Sequence, residues 1–361
     1  MTARGFRSII GHKDVIRHFQ TAVLNSRISH AYLITGEPGS GKRMMADAFA
    51  ETLLCENVTA LVDKLKEGRE GGPDSGPLSE APDLQDVDAC LDCISCKKVL
   101  DGNHPDLIYV THEKPNVISV HDIRTQVVGT VDILPYESRY KIYIIPEAEK
   151  MNQQAQNALL KTIEEPPAYV VILLLTSSPE SLLATIHSRC VTLFLKPVSD
   201  RDVMDCLTGD LHMPDYEARV LTGFAQGNIG RAVRAVTDES FVERRDRTLM
   251  LIRAIHGMDT ATMMEVIRLL KEDKDEIGDV FGIMMMWYRD VLLFKATRDV
   301  DQLIFTNDIS TIRAQASASS YEGLQEILDA IDRCQVRLRA NVSFELALEL
   351  MLFTIKENCN A

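Results

Sequence analysis

The chain has 361 residues, 45% of them hydrophobic and 25% charged, the balance of an ordinary globular protein with two or three domains. A formal net charge of −14 argues against a surface that holds nucleic acid as a whole, so any DNA contact must come from a local basic patch. No stretch is long and apolar enough to span a membrane, and the first residues, MTARGFRSIIGHKDV, lack the apolar core of a signal peptide, so the expectation is a cytoplasmic protein with no membrane partner.

The early basic cluster, Arg4, Arg7, His12, Lys13, Arg17 and His18, reads as a solvated face rather than a DNA site. Residues 31–35, AYLIT, read as a short strand and residues 42–54 as a helix, with GEPGSGKR between them. This is G-x-x-x-x-G-K in the context that a phosphate loop requires. Gly36, Gly39 and Gly41 let backbone N–H groups close around phosphates, Lys42 reaches the β and γ phosphates, and the helix N-terminus adds a favourable dipole. The residue after the lysine should be Ser or Thr, whose hydroxyl binds Mg²⁺. Here it is Arg43, which ligates no cation.

Eight cysteines without a secretory signal argue against a disulfide framework. Cys90, Cys93 and Cys96 have the spacing of a tetrahedral structural Zn²⁺ site. The bland alternative is free cysteines on one helix face. Cys55 is the natural fourth ligand and His104 its rival. Residues 56–89, rich in Gly, Pro, Asp and Glu, read for the most part as a mobile insertion.

Residues 106–110 read as a strand, 120–131 as a helix, KIYII as a strand, Ala148 to Ile163 as a helix stopped by Pro166 and Pro167, YVVILLLTS as a strand buried on both faces, and VTLFL at 191–195 as another strand. Strands alternating with helices predict a mostly parallel sheet covered on both sides. The strand KIYII runs into Pro146 and Glu147, where a phosphate-loop hydrolase carries an Asp that helps to hold Mg²⁺. Two Mg²⁺ contacts are therefore missing, and hydrolysis needs that metal. Beyond Pro197 no convincing strand is found. A small helical unit is expected over 198–240 and longer helices after it. The last follows Asn341, a plausible N-cap, and is apolar on two sides: Phe344, Leu348, Met351 and Ile355 on one, Leu346, Leu350 and Phe353 on the other. The Met284–Met286 run with Trp287 reads as packing.

SHAYLITGEPGSGK, the CxxCxxC cluster, HPDLIYV, KIYIIPEAEKMNQQAQNALLKTIEEPP, LLTSSPESLLATIHSRC and ANVSFELALELML stand in the order of one family. The chain resembles the clamp-loader subunits of bacterial DNA polymerase III over nearly its whole length. The resemblance implies an α/β AAA+ P-loop domain over 1–196 with a zinc module, a small helical lid over 197–240 and an all-α collar for oligomerisation over 241–361. Gly-Lys-Arg and Pro-Glu depart from the ATP-hydrolysing gamma/tau motor, which carries Gly-Lys-Thr or Gly-Lys-Ser and Asp-Glu, and fit a stator with weak or no ATP binding, not an enzyme on its own. The resemblance further implies a five-membered ring with gamma/tau and delta subunits that loads the β sliding clamp onto primed DNA. Ser188 and Arg189 would face the neighbour's ATP, with Arg189 as a trans-acting finger worth roughly 10³–10⁵ in rate. Arg231, in GNIGRAV, matches the arginine that senses nucleotide in motor subunits. The family has a much shorter loop after its first zinc cysteine, which bears on Cys55. The competing expectations are an active gamma/tau-type motor and a zinc-stabilised adaptor of another machine.

Overall fold

A computed structural model describes residues 5–70, 83–272, 274–340 and 342–358. Arg4, the Asn341 cap and residues 71–82 of the expected insertion lie outside these. The chain divides into two compact units, residues 1–202 with 228–230, and residues 203–227 with 231–361.

The first unit runs α1 (Lys13–Leu24), β1 (Ala31–Thr35), α2 (Lys42–Leu54), α3 (Glu56–Glu70), α4 (Ile94–Leu100), β2 (Leu107–Tyr109), α5 (Val120–Ile123), β3 (Lys141–Ile145), α6 (Gln153–Glu164), β4 (Val170–Thr176), α7 (Ala184–His187) and β5 (Val191–Phe194). The five strands form one parallel sheet in the order β2-β3-β4-β1-β5. Every residue of β1, β3 and β4 is buried, as expected of strands covered on both faces. Side chains alternate between the two faces. Tyr32 and Ile34 of β1 enter one core with Phe19, Phe49 and the cysteine segment. Ala31 and Leu33 enter the other, with Ile123, Leu159 and Ile186. In the first core Phe19 stacks on Phe49 at a centroid distance of 4.0 Å.

Three expectations need correction. Residues 56–70 are α3 and not a mobile insertion, because Val58 and Val62, one turn apart, are buried in the first core. The helix expected over 120–131 is α only to Ile123. A π-turn over 124–128 follows, closed by Gly129 N–H donating to Arg124 O at 2.7 Å. The helix expected from Ala148 starts at Gln153, where the Asn152 carboxamide caps it by accepting from Ala155 N–H at 2.8 Å, and residues 148–150 form a 3₁₀ turn.

Among its described residues the second unit has helices and no strand. α8 (Asp200–Asp205) carries the division between the units, and so does α10 (Ile229–Thr237), which follows α9 (Asp215–Ala225). Then come α11 (Glu239–Ala254), α12 (Thr260–Leu270), α13 (Ile277–Thr297), α14 (Ile309–Ala318), α15 (Tyr321–Arg339) and α16 (Phe344–Asn358). α13 is the core helix, with Met284, Trp287, Tyr288 and Val291 buried and Trp287 Nε1–H donating to Gln315 Oε1 at 2.7 Å. The wholly buried Asp290 accepts the N–H groups of Ile304 and Phe305 at 2.7 and 2.9 Å and so fixes the turn before α14. No helix among the described residues is long and apolar enough to cross a membrane.

Candidate functional site

The sheet order places β1 beside β4, so the chain leaves β1 at a point where the crossovers part to opposite sides. In open α/β sheets this is where ligands bind. The loop 36–41 starts there, tied by Gly36 N–H donating to Thr176 O at 3.3 Å. Gly39 and Gly41 have φ of 85° and 89°, a left-handed backbone that glycine adopts without strain. Gly41 caps α2 and aims its first turn at the loop. Lys42 Nζ donates to Gly36 O at 2.6 Å and Glu37 O at 2.9 Å, and lies 3.5 Å from Ser177 Oγ. Burial lowers the Lys42 pKa, and the carboxylates of Glu149 and Glu37 work against that. Gly36, Gly39, Gly41 and Lys42 thus come together on one loop with the pattern of a phosphate cradle.

Arg43 turns away from the cradle. Its Nε donates to Asp47 Oδ1 at 3.0 Å, and its guanidinium lies 4.1 Å from the Tyr109 ring centroid. Tyr109 O–H completes the set by donating to Asp47 Oδ1 at 3.1 Å. Burial, then the Asp47 carboxylate, pushes the Tyr109 hydroxyl up to about 12, so it stays protonated and keeps donating. At the end of β3, Pro146 offers no ligand. Glu147 has a left-handed φ of 49° and pairs with Lys150 at 2.8 Å. Glu149 points instead at β4, its Oε1 accepting from Ser177 Oγ–H at 3.1 Å. Neither Glu149 nor Ser177 stood out in the sequence. Position four past the strand was the available signal for Glu149. Asp47 was legible as an i,i+4 partner of Arg43.

Cys55, Cys90, Cys93 and Cys96 come together with all four Sγ atoms within 4.8 Å of one another. Four thiolates about 2.3 Å from one tetrahedral ion lie about 3.8 Å apart; Cys90 and Cys96 Sγ are at 4.0 Å. Backbone N–H groups of Cys90, Cys93 and Cys96 point at the sulfurs of Cys55, Cys90 and Cys93 at 3.4–3.5 Å, as suits sulfur carrying negative charge. A hydrogen bond from the Cys96 thiol holds the Cys55 thiol down at about 5 against its burial, and Cys96 is pushed up in turn. The donors fit the chemistry of a closed, four-sulfur site that could hold a metal ion. His104 stands outside it, with Nε2 3.0 Å from Ser95 Oγ.

Ser188 and Arg189 follow α7 on an exposed turn. Arg189 Nε meets Glu164 Oε1 at 3.0 Å, and its NH1 donates to Thr185 O at 3.1 Å. Ser188 Oγ–H also donates to Thr185 O. Arg231 belongs to the second unit, where its guanidinium lies 5.7 Å from the Phe224 ring centroid.

A loop of phosphate-loop pattern at the switch point of a β2-β3-β4-β1-β5 parallel sheet, followed by a helical region, defines an α/β protein of the P-loop class. Comparison with known proteins narrows this. The sequence profile described as DNA polymerase III, delta subunit, matches residues 11–68 and 79–199, and the profile for the C-terminal part of the delta subunit matches 240–357. The chain belongs to the family of DNA polymerase III clamp-loader subunits. It is 27% identical to DNA polymerase III subunit delta' of Bacillus subtilis across 95% of both chains. To subunit tau of the same organism it is 23% identical across 95% of this chain and 60% of tau. Among solved structures, a gamma-subunit-related protein of Thermotoga maritima matches 96% of this chain and 100% of its own length at 20% identity and a TM-score of 0.43.

Proposed function

We propose that the chain is the delta-prime-type stator of a clamp loader: it builds one end of a subunit ring that loads the β sliding clamp onto primed DNA, and does not itself hydrolyse ATP. One observation carries this. The phosphate cradle and Lys42 are intact, but Arg43 is held outward by Asp47 and Tyr109, and the end of β3 offers Pro146 where a metal-binding carboxylate is needed. Phosphoryl transfer relies on a metal to neutralise charge between the phosphates. A cradle without one binds ATP weakly at most. The similarity to delta' over both full lengths supports the same reading.

In this reading residues 197–240 act as the lid and 241–361 as the collar that holds gamma/tau and delta subunits in a five-membered ring. The four cysteines hold a structural Zn²⁺, which would tie the end of α2 to α4. Ser188 and Arg189 serve the neighbour's ATP. Arg189 would exchange its half-exposed Glu164 partner for the γ-phosphate, an exchange of small cost because exposed ion pairs contribute about 0–1 kcal/mol.

Two measurements test this. The purified chain with Mg²⁺ should turn over no more ATP than its Lys42→Ala variant; turnover abolished by Lys42→Ala would make it a motor in which Glu149 replaces the missing acid. In the reconstituted loader, Arg189→Ala should leave assembly intact and slow DNA-stimulated hydrolysis, by roughly 10³-fold or more at the neighbour's site that Arg189 serves. Unchanged hydrolysis would remove the finger role.

A further inference from the structure

The loop between α5 and β3 presents Ile133, Leu134 and Tyr136 to solvent, with exposures of 48, 68 and 74%. The backbone that carries them is tied down from both sides. Asp106, wholly buried, commits its carboxylate to that backbone. Oδ1 accepts the Tyr136 N–H at 2.6 Å, and Oδ2 accepts those of Glu137 and Ser138 at 2.9 Å. From the other side Lys141 Nζ donates to Thr130 O at 2.7 Å and Ile133 O at 3.2 Å.

Asp106 is itself placed from two sides, by β3, whose Ile142 N–H donates to Asp106 O at 2.8 Å, and by a buried histidine. The Asp106 N–H donates to His104 Nδ1 at 3.2 Å. An accepting Nδ1 puts the proton of the neutral ring on Nε2, and burial favours that neutral ring. Nε2 lies 3.0 Å from Ser95 Oγ and 3.3 Å from Ser138 Oγ. Ser95 gives its own proton to Leu54 O at 2.7 Å, so it accepts from His104. Ser95 stands between Cys93 and Cys96, and Leu54 directly precedes Cys55. The chain of contacts therefore starts on both segments that carry the four cysteines and ends on the amides of the exposed loop.

We infer that the four-cysteine module sets the position of the 133–138 loop through Ser95, His104 and Asp106. A metal ion on Cys55, Cys90, Cys93 and Cys96 fixes α4 against the end of α2. That holds Ser95 against His104, and His104 holds Asp106 under the loop. His104 is a positioning residue, and the module keeps three apolar side chains displayed on a rigid backbone. Only the metal arm of the test rests on the zinc reading above.

The test is hydrogen exchange on the full chain, with zinc content measured first. Removing the metal with a chelator under reducing conditions should speed exchange at Tyr136, Glu137 and Ser138 at least tenfold, while Ile142–Ile145 of β3 stay protected. His104→Ala at full zinc occupancy should do the same without changing zinc stoichiometry. If His104→Ala does not fold, Ser95→Ala reads the same link by removing one hydroxyl. Unchanged exchange at 136–138 in the histidine or serine variant overturns the relay. Unchanged exchange after metal removal overturns control by the module. A chain that binds no zinc sinks the metal reading and leaves the variant arm to judge the relay. If metal removal also exposes β3, the variant comparison at full occupancy decides.

Discussion

Glu51 is buried on α2, where its Oε2 accepts the Gly5 N–H at 2.7 Å. Burial pushes its carboxyl up to about 7; the Gly5 bond opposes this, and the nearby Asp47 and Asp88 add to it. The folded chain therefore keeps a proton that the unfolded chain, with a carboxyl near 4.5, has released. Linkage then makes the Glu51 contribution to stability fall as pH rises from about 4.5 to about 7. Glu51→Gln should raise the melting temperature at pH 8 and flatten that decline; a pH profile parallel to wild type would refute the assignment. Single residues differ in how far the sequence exposes them. Lys42 and the glycines were legible because their spacing is the pattern of a phosphate loop. The fourth cysteine was legible only as a candidate, since α3 and the segment after it separate Cys55 from its partners, and chain separation says nothing about distance in space.

At the scale of elements, strands were read almost to the residue, because a run buried on both faces has one interpretation. The 56–70 helix was missed: the Gly- and Pro-rich sequence beyond it masked the i,i+4 pair Val58 and Val62. α16 shows the reverse case. Its sequence is apolar on two sides, and among the described residues one side is covered better than the other: Phe344, Leu348, Met351 and Ile355 are buried, while Phe353 is partly buried and Leu346 and Leu350 are about half exposed at 49 and 47%. The proposed collar gives that second side its partner. Leu350→Asp should leave the melting temperature of the isolated chain unchanged and weaken its co-elution with gamma/tau and delta on size exclusion. Undiminished co-elution would place the contact between subunits elsewhere.

At the scale of the molecule, the net charge of −14 is spread over both units. Counterion release favours proteins that bring lysine and arginine to phosphates, and this chain carries 39 such residues against 53 acidic ones. In fluorescence anisotropy at about 150 mM salt, the isolated chain should leave labelled primed DNA unshifted. Micromolar binding would reveal a local basic surface that the proposed function does not use. Contact with DNA would otherwise belong to the assembled ring.

The Arg43–Asp47–Tyr109 contact also sets what a substitution at Arg43 would do. Replacing Arg43 with threonine restores a hydroxyl beside Lys42, but leaves Asp47 without its cation, in a setting where burial already raises its carboxyl. The Tyr109 ring loses its stacked partner in the same step. No catalysis is gained in return while Pro146 still closes β3. On the proposed stator reading, a change toward a motor would begin with a loss of stability at Arg43 and would need a second, separate change at Pro146.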